Sequence, residues 1–478
     1  MSTDPFVVVG ADAAGLSAAS KFRRAAPDRE VIVFEKGQWI SYAFCGMPYF
    51  VEGRVDQLSN LLSLSPEEAT ERGIDLRRGH EVVGVDPEAK SVRVEADGEA
   101  FDQPYSDLLI ATGGRAVTGP FDVRGLDGAF TLHDMDAAAA VDAYIADPDG
   151  YEFTRVDDTP VDRERVEYNA DLPAPETAAI VGGGYVGVEM AEALVGRGLD
   201  VHLFQRSEHV LRPFGEAVGE RAETELTDKG VTVHTNTPVD ALVGDDRIEA
   251  VAFDGAELAV DLAVVGVGIE PNTELLADTG IELGPGGAIR IDDHGRTNLD
   301  SVYAAGDCAT ATHTVTGEET WLPLGLTANR SGRAIGSTVA GEPTPVGDIA
   351  ETAVVKAFDQ ECGRVGIVDK EAASEAGFDP VSVTITAGSR SGYYPGAAET
   401  DVTLVADRET ERLLGGSIVG PDRAAIRIDT LSTALDAGMT VGEVEQLDLA
   451  YAPPFSPVWD PILTAAKVLN GQLDEAGR

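Results

Sequence analysis

Two apolar runs, each followed by a glycine-rich turn and an alanine-containing stretch, dominate the hydrophobic pattern of the first half of the chain. They lie at residues 6–15 and 179–187. A short uninterrupted apolar run predicts a strand buried on both faces, and the stretch after each turn predicts a helix. This order of strand, turn and helix is typical of a unit that binds a dinucleotide, because unpaired N–H groups at the start of the helix hold a pyrophosphate.

The two turns differ at one position. The second glycine turn (residues 182–187) is complete, with Gly182, Gly184 and Gly187. The first glycine turn (residues 10–15) keeps Gly10 and Gly15 but has Asp12 in the middle, where a carboxylate is awkward beside a pyrophosphate. The next apolar run ends in Glu35, which is well placed to accept a ribose hydroxyl. We therefore expect each turn to bind a nucleotide.

Further patterns outline the rest of the chain. A strand is predicted at residues 108–110, before a small-residue turn with Thr112 and Gly113, and another strand ends in Ala-Ala-Gly-Asp at Asp307. The acidic stretch 147–175 has little periodicity and is predicted to be an exposed loop. Beyond about residue 348, strand-like runs such as 381–386 and 401–405 precede helical stretches.

These patterns predict an α/β fold with two Rossmann-like dinucleotide-binding domains and a C-terminal α+β domain. The first domain is expected in two segments, 1–120 and 266–345, the second at 121–265 and the C-terminal domain at 346–478. A chain of 478 residues with 43% hydrophobic residues is long enough for three domains with full cores.

The net charge indicates the salt concentration to which the protein is adapted. The chain has 83 Asp and Glu against 36 Lys and Arg, a formal net charge of −47. Carboxylates spread along the whole chain keep a surface hydrated in concentrated salt, so we predict an extreme halophile that is stable and active only in molar salt. The same field disfavours nucleic acid and anionic membranes as partners.

The expected compartment is the cytoplasm. Three cysteines without framework spacing fit a reducing environment. The N-terminal sequence Met-Ser-Thr-Asp-Pro lacks the features of a signal peptide, and no apolar run reaches the length of a membrane span.

Cys45 is the candidate for redox chemistry. It lies thirty residues after Gly15, and the position five residues beyond it is Phe50, so a CxxxxC disulfide is excluded. A lone redox thiol has to exchange electrons with an external partner. We expect a nearby helix end or the electrophilic face of a bound cofactor to lower its pKa, because the thiolate is the reactive form. Cys308 directly follows Asp307 and is expected to pack in a core, and Cys362 has no motif around it. Neither cysteine has a CxxC motif or clustered histidines nearby, so no metal site is predicted.

With these residues in view, the chain resembles the flavin-dependent pyridine nucleotide-disulfide oxidoreductases. Within them it is similar to the single-cysteine branch of coenzyme A-disulfide reductases and NADH oxidases, over nearly its whole length. The resemblance implies that the first glycine turn and Glu35 hold the ADP half of FAD and that Asp307 binds the ribityl chain. Thr112 and Gly113 would mark the return of the FAD domain. The second glycine turn would bind NAD(P)H, with Glu189 near the nicotinamide.

The resemblance also implies a homodimer whose C-terminal domain completes the partner's active site. Because no histidine follows His313, the proton donors are expected to be Tyr394 and Tyr451. Phe455 stands where some relatives have a further tyrosine.

Charged and polar side chains suggest the nucleotide and the thiol partner. Gln205 followed by Arg206 accommodates a 2′-phosphate, which favours NADPH while leaving NADH possible. Arg23 and Arg24 are candidates for binding the phosphates of coenzyme A, and Ser41 flanks the cysteine segment as a further substrate contact.

Three functions stay open at this point. The first is reduction of coenzyme A disulfide, or a related small disulfide, through a mixed disulfide at Cys45; polysulfide or persulfide is a variant of it. The second is an NAD(P)H oxidase that reduces dioxygen through a cysteine sulfenate, and the third is a redox sensor with low turnover. Ala13 favours the first, because water-forming oxidases of this branch carry a histidine at that position. The oxidant and the resting state of Cys45 are left undecided.

Overall fold

The computed structural model describes residues 4–121, 123, 125–146 and 150–476. Its elements up to residue 121 are β1 (Phe6–Val9), α1 (Ala13–Ala25), β2 (Val31–Glu35), α2 (Met47–Glu52), α3 (Pro66–Glu71), β3 (Asp75–Arg78), β4 (Glu81–Asp86), β5 (Ser91–Ala96), β6 (Glu99–Pro104), β7 (Asp107–Ile110) and β8 (Gly114–Ala116). From residue 125 to 271 they are β9 (Ala129–Phe130), α4 (Met135–Tyr144), α5 (Arg163–Ala170), β10 (Thr177–Val181), α6 (Tyr185–Gly196), β11 (Asp200–Phe204), α7 (Glu216–Asp228), β12 (Thr232–His234), β13 (Ala241–Val243), β14 (Ala250–Phe253), β15 (Ala256–Ala259), β16 (Leu262–Val265) and β17 (Ile269–Pro271). The later elements are β18 (Val302–Ala304), β19 (Ala311–Thr312), β20 (Glu319–Thr320), α8 (Gly325–Val339), β21 (Ala353–Ala357), β22 (Gln360–Gly366), α9 (Lys370–Glu375), β23 (Pro380–Gly388), β24 (Glu399–Asp407), β25 (Leu413–Gly420), α10 (Ala424–Asp436), α11 (Val441–Glu445) and α12 (Pro461–Ala476).

A parallel five-stranded sheet with the order β18-β7-β1-β2-β3 forms the centre of the first domain. Val8 of β1 lies opposite Val33 of β2 and Leu109 of β7, and all three side chains are buried. Strands covered on both faces need such continuous apolar runs. Because β18 joins this sheet from beyond the second domain, the first domain is assembled from two separate parts of the chain.

A second parallel sheet repeats the arrangement, with the order β12-β11-β10-β16-β9. Ile180 of its central strand lies opposite Leu203 and Val264, and all three are buried. In both sheets the central strand leads through a glycine turn into a helix, α1 or α6. The two nucleotide-binding units predicted from the sequence are therefore confirmed as strand, turn and helix.

The C-terminal domain is built on an antiparallel sheet with the order β21-β22-β25-β24-β23. The predicted strand-like runs at 381–386 and 401–405 lie within β23 and β24, and α10 and α12 pack against the sheet. This agrees with the predicted α/β class with an α+β C-terminal part. The boundaries at 120, 265 and 345 stay predictions; none of the described strands or helices spans them.

The prediction of an exposed loop at 147–175 is wrong for residues 150–175; residues 147–149 lie outside the described part. The segment contains a 3-10 turn, Phe153–Val156, and helix α5. The carboxylate of Asp162 accepts a hydrogen bond from the N–H of Arg165 and so caps α5, while Val156 and Val166 are buried. A short helix with few apolar residues has too weak a periodicity to be recognised from its sequence.

Candidate functional site

The first glycine turn lies tightly against the end of β7. Gly10 has a φ of +105°, and a Cβ there would lie 2.1 Å from the carbonyl oxygen of Ala111. A Cβ at Gly15 would lie 1.9 Å from the oxygen of Gly10. Only glycine fits at both positions. The close fit brings the start of α1 to the edge of the sheet, where its first N–H groups are free to meet a phosphate.

The second glycine turn repeats this packing at its first and last glycines, but its middle glycine is not closely packed. A Cβ at Gly182 or Gly187 would lie 2.3 or 1.8 Å from a backbone oxygen, whereas a Cβ at Gly184 would meet no atom within 4 Å. The protein itself therefore tolerates a side chain at the middle position, and a glycine there serves the close approach of a nucleotide.

Two carboxylates border the first nucleotide site. Glu35 accepts hydrogen bonds from the N–H of Ala11 at 3.0 Å and of Gly37 at 2.8 Å, which fixes it at the end of β2 beside the turn. Burial raises the pKa of Asp307, partly offset by His133, and within the described chain no residue donates a hydrogen bond to its carboxylate. Both groups thus have acceptor capacity for ligand hydroxyls, and with the glycine cradle they fit the ADP and ribityl parts of FAD.

Thr112 and Gly113 are held by a residue that sequence reasoning missed. Thr112 Oγ1 donates to the carbonyl of Asn272 at 2.6 Å, and the Asn272 side chain donates to the carbonyls of Thr112 and Gly114. Asn272 lies after β17, which pairs with β8. It therefore joins the two segments of the first domain at the turn that follows β7, and only the folded chain reveals this link.

Cys45 lies in a 3-10 turn, Phe44–Gly46, just before α2, and we name residues 41–46 the redox loop. Cys45 is exposed, whereas Cys308, as predicted, and Cys362 are buried. The nearby helix end does not lower the Cys45 pKa as expected: surrounding atoms still desolvate the thiol, and this raises its pKa, as does the charge of Glu189. Because the charged residues acting on the sulfur are carboxylates, stabilisation of a thiolate falls to a bound group.

Glu189 and Tyr49 connect α2, which follows the redox loop, to α6 of the second nucleotide-binding unit. The Tyr49 hydroxyl donates to Oε1 of Glu189 at 3.3 Å. Burial raises the pKa of Glu189 to about 7, with Glu192 acting in the same direction and Tyr49 opposing it. Sequence reasoning proposed Glu189 but missed Tyr49, although Tyr49 follows Cys45 by four residues, about one helical turn.

The end of β11 carries the residues proposed to select the nicotinamide nucleotide. Gln205 Oε1 accepts a hydrogen bond from the N–H of Gly183 at 3.1 Å, just as Glu35 accepts one from the N–H of Ala11. Gln205 therefore occupies the position in the second unit that Glu35 occupies in the first. Arg206 is exposed, and it forms no ion pair with the described residues. An uncharged Gln205 beside a free guanidinium leaves room for a 2′-phosphate.

The residues proposed to contact the thiol substrate are spread over the first domain. The N–H of Ser41 donates to the carbonyl of Ala11, so Ser41 lies at the first glycine turn. Arg23 donates to the carbonyls of Pro27 and Arg29, and Arg24 is exposed. Both arginines lie at the far end of α1, about 15 Å along its axis from the turn. The described chain does not bring them together with Cys45.

Tyr394 and Tyr451 lie on the C-terminal domain and are 38% and 49% exposed. Residues close to them in the sequence are exposed as well, and we name the six the aromatic patch: Tyr393, Tyr394, Tyr451, Phe455, Val458 and Trp459. A hydrogen bond with Tyr393 raises the pKa of Tyr451. Several exposed apolar side chains close together are typical of an interaction surface.

His133 is a further residue that the sequence did not indicate. Its Nε2 lies 2.9 Å from the carbonyl oxygen of Gly114, and its ring packs edge-on against Phe44, next to Cys45. It also lowers the pKa of Asp307. An imidazole thus lies between the redox loop and the carboxylate of the first nucleotide site.

The chain matches two protein-family profiles. Residues 4–332 match the profile described as pyridine nucleotide-disulphide oxidoreductase, and residues 352–461 match its dimerisation domain.

Several characterised proteins are similar over nearly the whole chain. The NAD(P)H coenzyme A polysulfide/persulfide reductase of Pyrococcus horikoshii is 36% identical, covering 97% of this chain and 98% of its own length. The NADH oxidase of Methanocaldococcus jannaschii is 31% identical (96% and 97% covered), and the coenzyme A disulfide reductase of Staphylococcus haemolyticus is 29% identical (94% and 96% covered). The solved structure of an NAD-dependent persulfide reductase from A. fulgidus superimposes with a TM-score of 0.89 at 33% identity, covering 99% of this chain and 84% of that one.

Proposed function

Because the chain belongs to the pyridine nucleotide-disulphide oxidoreductases, we propose that it reduces coenzyme A disulfide, or a closely related small disulfide, with electrons from NAD(P)H and with Cys45 as its redox thiol. Enzymes of this family use FAD and NAD(P)H. The observation that carries the proposal is the single exposed thiol at Cys45, with the other two cysteines buried. A lone accessible thiol suits an oxidant that delivers its own sulfur.

The proposed reaction is NAD(P)H + H⁺ + RSSR → NAD(P)⁺ + 2 RSH. The Cys45 thiolate attacks one sulfur of the disulfide, which forms a Cys45–SR bond, breaks the S–S bond and releases one thiolate. An electron pair then cleaves the Cys45–SR bond, which regenerates the Cys45 thiolate and releases the second RS⁻. The two released thiolates take up one proton from NAD(P)H oxidation and one from solvent.

Bound FAD supplies the transfer of the electron pair from the nicotinamide to sulfur. The glycine turns and Glu35 bind the two nucleotides, and Asp307 orients the flavin-bearing half. Glu189 is placed to hold or release a proton between α2 and α6, since burial raises its pKa to about 7.

NADPH is the proposed electron donor. Gln205 removes the carboxylate that selects a 2′-hydroxyl, and Arg206 offers a free guanidinium. Replacing Arg206 with alanine should raise KM for NADPH about tenfold and leave KM for NADH unchanged.

The proposed active unit is a homodimer. The match to a dimerisation domain and the exposed aromatic patch support it, and the patch would place Tyr394 and Tyr451 at the partner's site as proton donors. Replacing each with phenylalanine tests this role, because the dimer should persist while thiol release slows.

A second candidate is reduction of dioxygen, which the similarity to an NADH oxidase favours. Ala13 opposes it, because the imidazole that water-forming oxidases of the branch carry next to the flavin is missing. Persulfide is a third substrate class, supported by the names of two similar proteins.

The test is NADPH and NADH oxidation by the FAD-loaded protein in molar KCl, without and then with air. Coenzyme A disulfide, coenzyme A persulfide and no added acceptor are compared for the wild type, Cys45→Ser and the control Cys362→Ser. Turnover that needs the disulfide and Cys45 but not oxygen supports the proposal. Turnover only in air supports the oxidase, preference for the persulfide moves the substrate to that class, and no turnover leaves the sensor.

The cytoplasm is the proposed compartment, because lone thiols persist in a reducing environment. Among the described residues, no helix combines the length and the apolar composition needed to cross a bilayer.

A further inference from the structure

The middle residue of the first glycine turn is not the glycine found in the second turn, yet its backbone conformation is unstrained. Asp12 has φ −106° and ψ −152°, close to the φ −82° and ψ −164° of Gly184 at the same place in the second turn. Both residues precede a helix, and the space around a Cβ at Gly184 is open. Asp12 is therefore compatible with the fold, and its presence needs another explanation.

Two consecutive backbone amides of the redox loop are bonded to the first glycine turn. The N–H of Ser41 donates to the carbonyl of Ala11 at 3.0 Å, and the N–H of Tyr42 donates to Oδ1 of Asp12 at 3.1 Å. The first bond is available to any residue at position 11, but the second depends on the Asp12 side chain. That side chain does not cap α1, although it occupies the N-cap position. Its acceptor is used to hold the loop that carries Cys45.

The same carboxylate lies in an electrostatically unfavourable place. Burial raises the pKa of Asp12 to about 7, with the nearby carboxylates of Glu35 and Asp307 acting in the same direction and the N–H groups of Tyr42 and Ala13 opposing them. The ionisable groups around it are Glu35 on β2, Asp307 after β18 and the Tyr42 phenol, whose own pKa is raised mainly by burial. A negative charge here also repels the pyrophosphate that the start of α1 would bind.

We propose that Asp12 is a positioning residue that ties the redox loop to the first glycine turn and does so at a cost in FAD affinity. This rests on FAD binding and on the proposed role of Cys45, but not on the identity of the disulfide. Asp12 fixes Tyr42, three residues before the thiol, to the turn that holds the cofactor, so the position of Cys45 follows that of the nucleotide.

Replacing Asp12 with asparagine or glycine separates the two effects. Asp12→Asn keeps the side-chain oxygen that accepts from the N–H of Tyr42 and removes the charge. Asp12→Gly gives the first turn the three glycines of the second turn and removes both the oxygen and the charge. Two quantities are measured in molar KCl: FAD affinity of the apoprotein from flavin fluorescence, and the rate of Cys45 alkylation by iodoacetamide in FAD-saturated protein, followed by mass spectrometry. Asp12→Ser, with a shorter acceptor, replaces the glycine variant if the latter does not fold.

Both variants should bind FAD about tenfold more tightly than the wild type near pH 8, since each lacks the charge. The alkylation rate should match the wild type in Asp12→Asn and differ severalfold in Asp12→Gly. Wild-type FAD affinity should rise as pH falls through about 7, and this dependence should vanish in Asp12→Asn. Equal alkylation rates in all three proteins would contradict the proposal that Asp12 positions the redox loop. Unchanged or weaker FAD binding in Asp12→Asn would contradict the proposal that the charge of Asp12 lowers FAD affinity. Neither readout uses disulfide turnover, so a failure of the substrate proposal stays distinguishable.

Discussion

The phenol of Tyr49 donates a hydrogen bond to Glu189 across 3.3 Å, although 140 residues separate them in the sequence. Tyr49 lies on α2, which follows the redox loop, and Glu189 lies on α6, which follows the second glycine turn. The bond therefore joins the helix that follows Cys45 to the helix of the second glycine turn, the proposed nicotinamide site. It also involves a carboxyl whose pKa burial raises to about 7.

Nicotinamide binding should depend on pH through Glu189. The carboxyl is neutral below about pH 7 and charged above it, so the cationic ring of NADP⁺ should bind up to about tenfold more tightly as pH rises through this value. Glu189→Gln should remove the dependence. Tyr49→Phe should keep it with a higher midpoint, because the hydrogen bond from Tyr49 lowers the pKa of Glu189. Calorimetric titration of NADP⁺ against pH measures both effects.

The control for this experiment is Glu220→Gln, an exposed carboxylate on α7 of the same domain, which should give the wild-type curve. A dependence that survives in Glu189→Gln would assign the titration to another group.

Iodoacetamide should label one of the three cysteines in the native protein. Cys45 is exposed, whereas Cys308 and Cys362 are buried, and burial raises the pKa of Cys362 to about 12. Near pH 8, Glu189→Gln should accelerate the labelling of Cys45 severalfold, because a nearby carboxylate that raises its pKa is gone. Mass spectrometry of the labelled peptides gives both results, with Cys45→Ser as the unlabelled reference. Labelling of Cys308 before unfolding would contradict the described core.

Arg155 should be worth several kcal/mol to stability. Its guanidinium pairs with the fully buried Asp142 at 2.8 Å and donates to the carbonyl of Phe50 at 2.7 Å. Removing one partner of a buried ion pair costs about 3–5 kcal/mol, and Arg197 remains near Asp142, so Arg155→Met should lower the free energy of unfolding in urea by about 3 kcal/mol, the low end of that range. Asp142 keeps a hydrogen bond from Tyr151 and the charge of Arg197 at 3.5 Å, but it loses its shorter ion pair. The loss should be smaller at pH 5 than at pH 8, because Asp142 can then take up a proton, and burial already raises its pKa.

Arg163→Met is the matched control for Arg155. Arg163 belongs to the same segment and pairs with Asp157, but both side chains are about half exposed. Exposed pairs contribute about 0–1 kcal/mol, so this variant should be close to the wild type. Equal losses in the two variants would show that the segment does not anchor α2.

Stability should rise with salt between about 0.1 and 2 M KCl, because the Debye length falls from about 10 Å to below 3 Å and relieves the repulsion of a net charge of −47. The midpoint of urea unfolding against KCl concentration measures this. Sucrose at equal osmolality is the control, and a similar gain in sucrose would argue that screening is not the cause.

Local sequence determined the two nucleotide-binding units, because their signals are short-range. Gly10 and Gly182 need a positive φ that other residues avoid, and uninterrupted apolar runs match strands buried on both faces. The lone thiol could also be predicted, because the sequence shows that Cys45 has no neighbouring cysteine. Asp12 was visible as a departure from the pattern, but its bond to Tyr42 was not.

Tertiary structure alone decided the electrostatics of the site and the packing of the 150–175 segment. The protein groups around Cys45 raise its pKa where a nearby helix end was expected to lower it, because burial and the charge of Glu189, a residue far away in the chain, act on the thiol. Arg155 reaches Phe50 across 105 residues and makes an acidic, aperiodic stretch part of the support of α2. Periodicity reports which faces are buried, but which charges meet inside depends on contacts between remote segments.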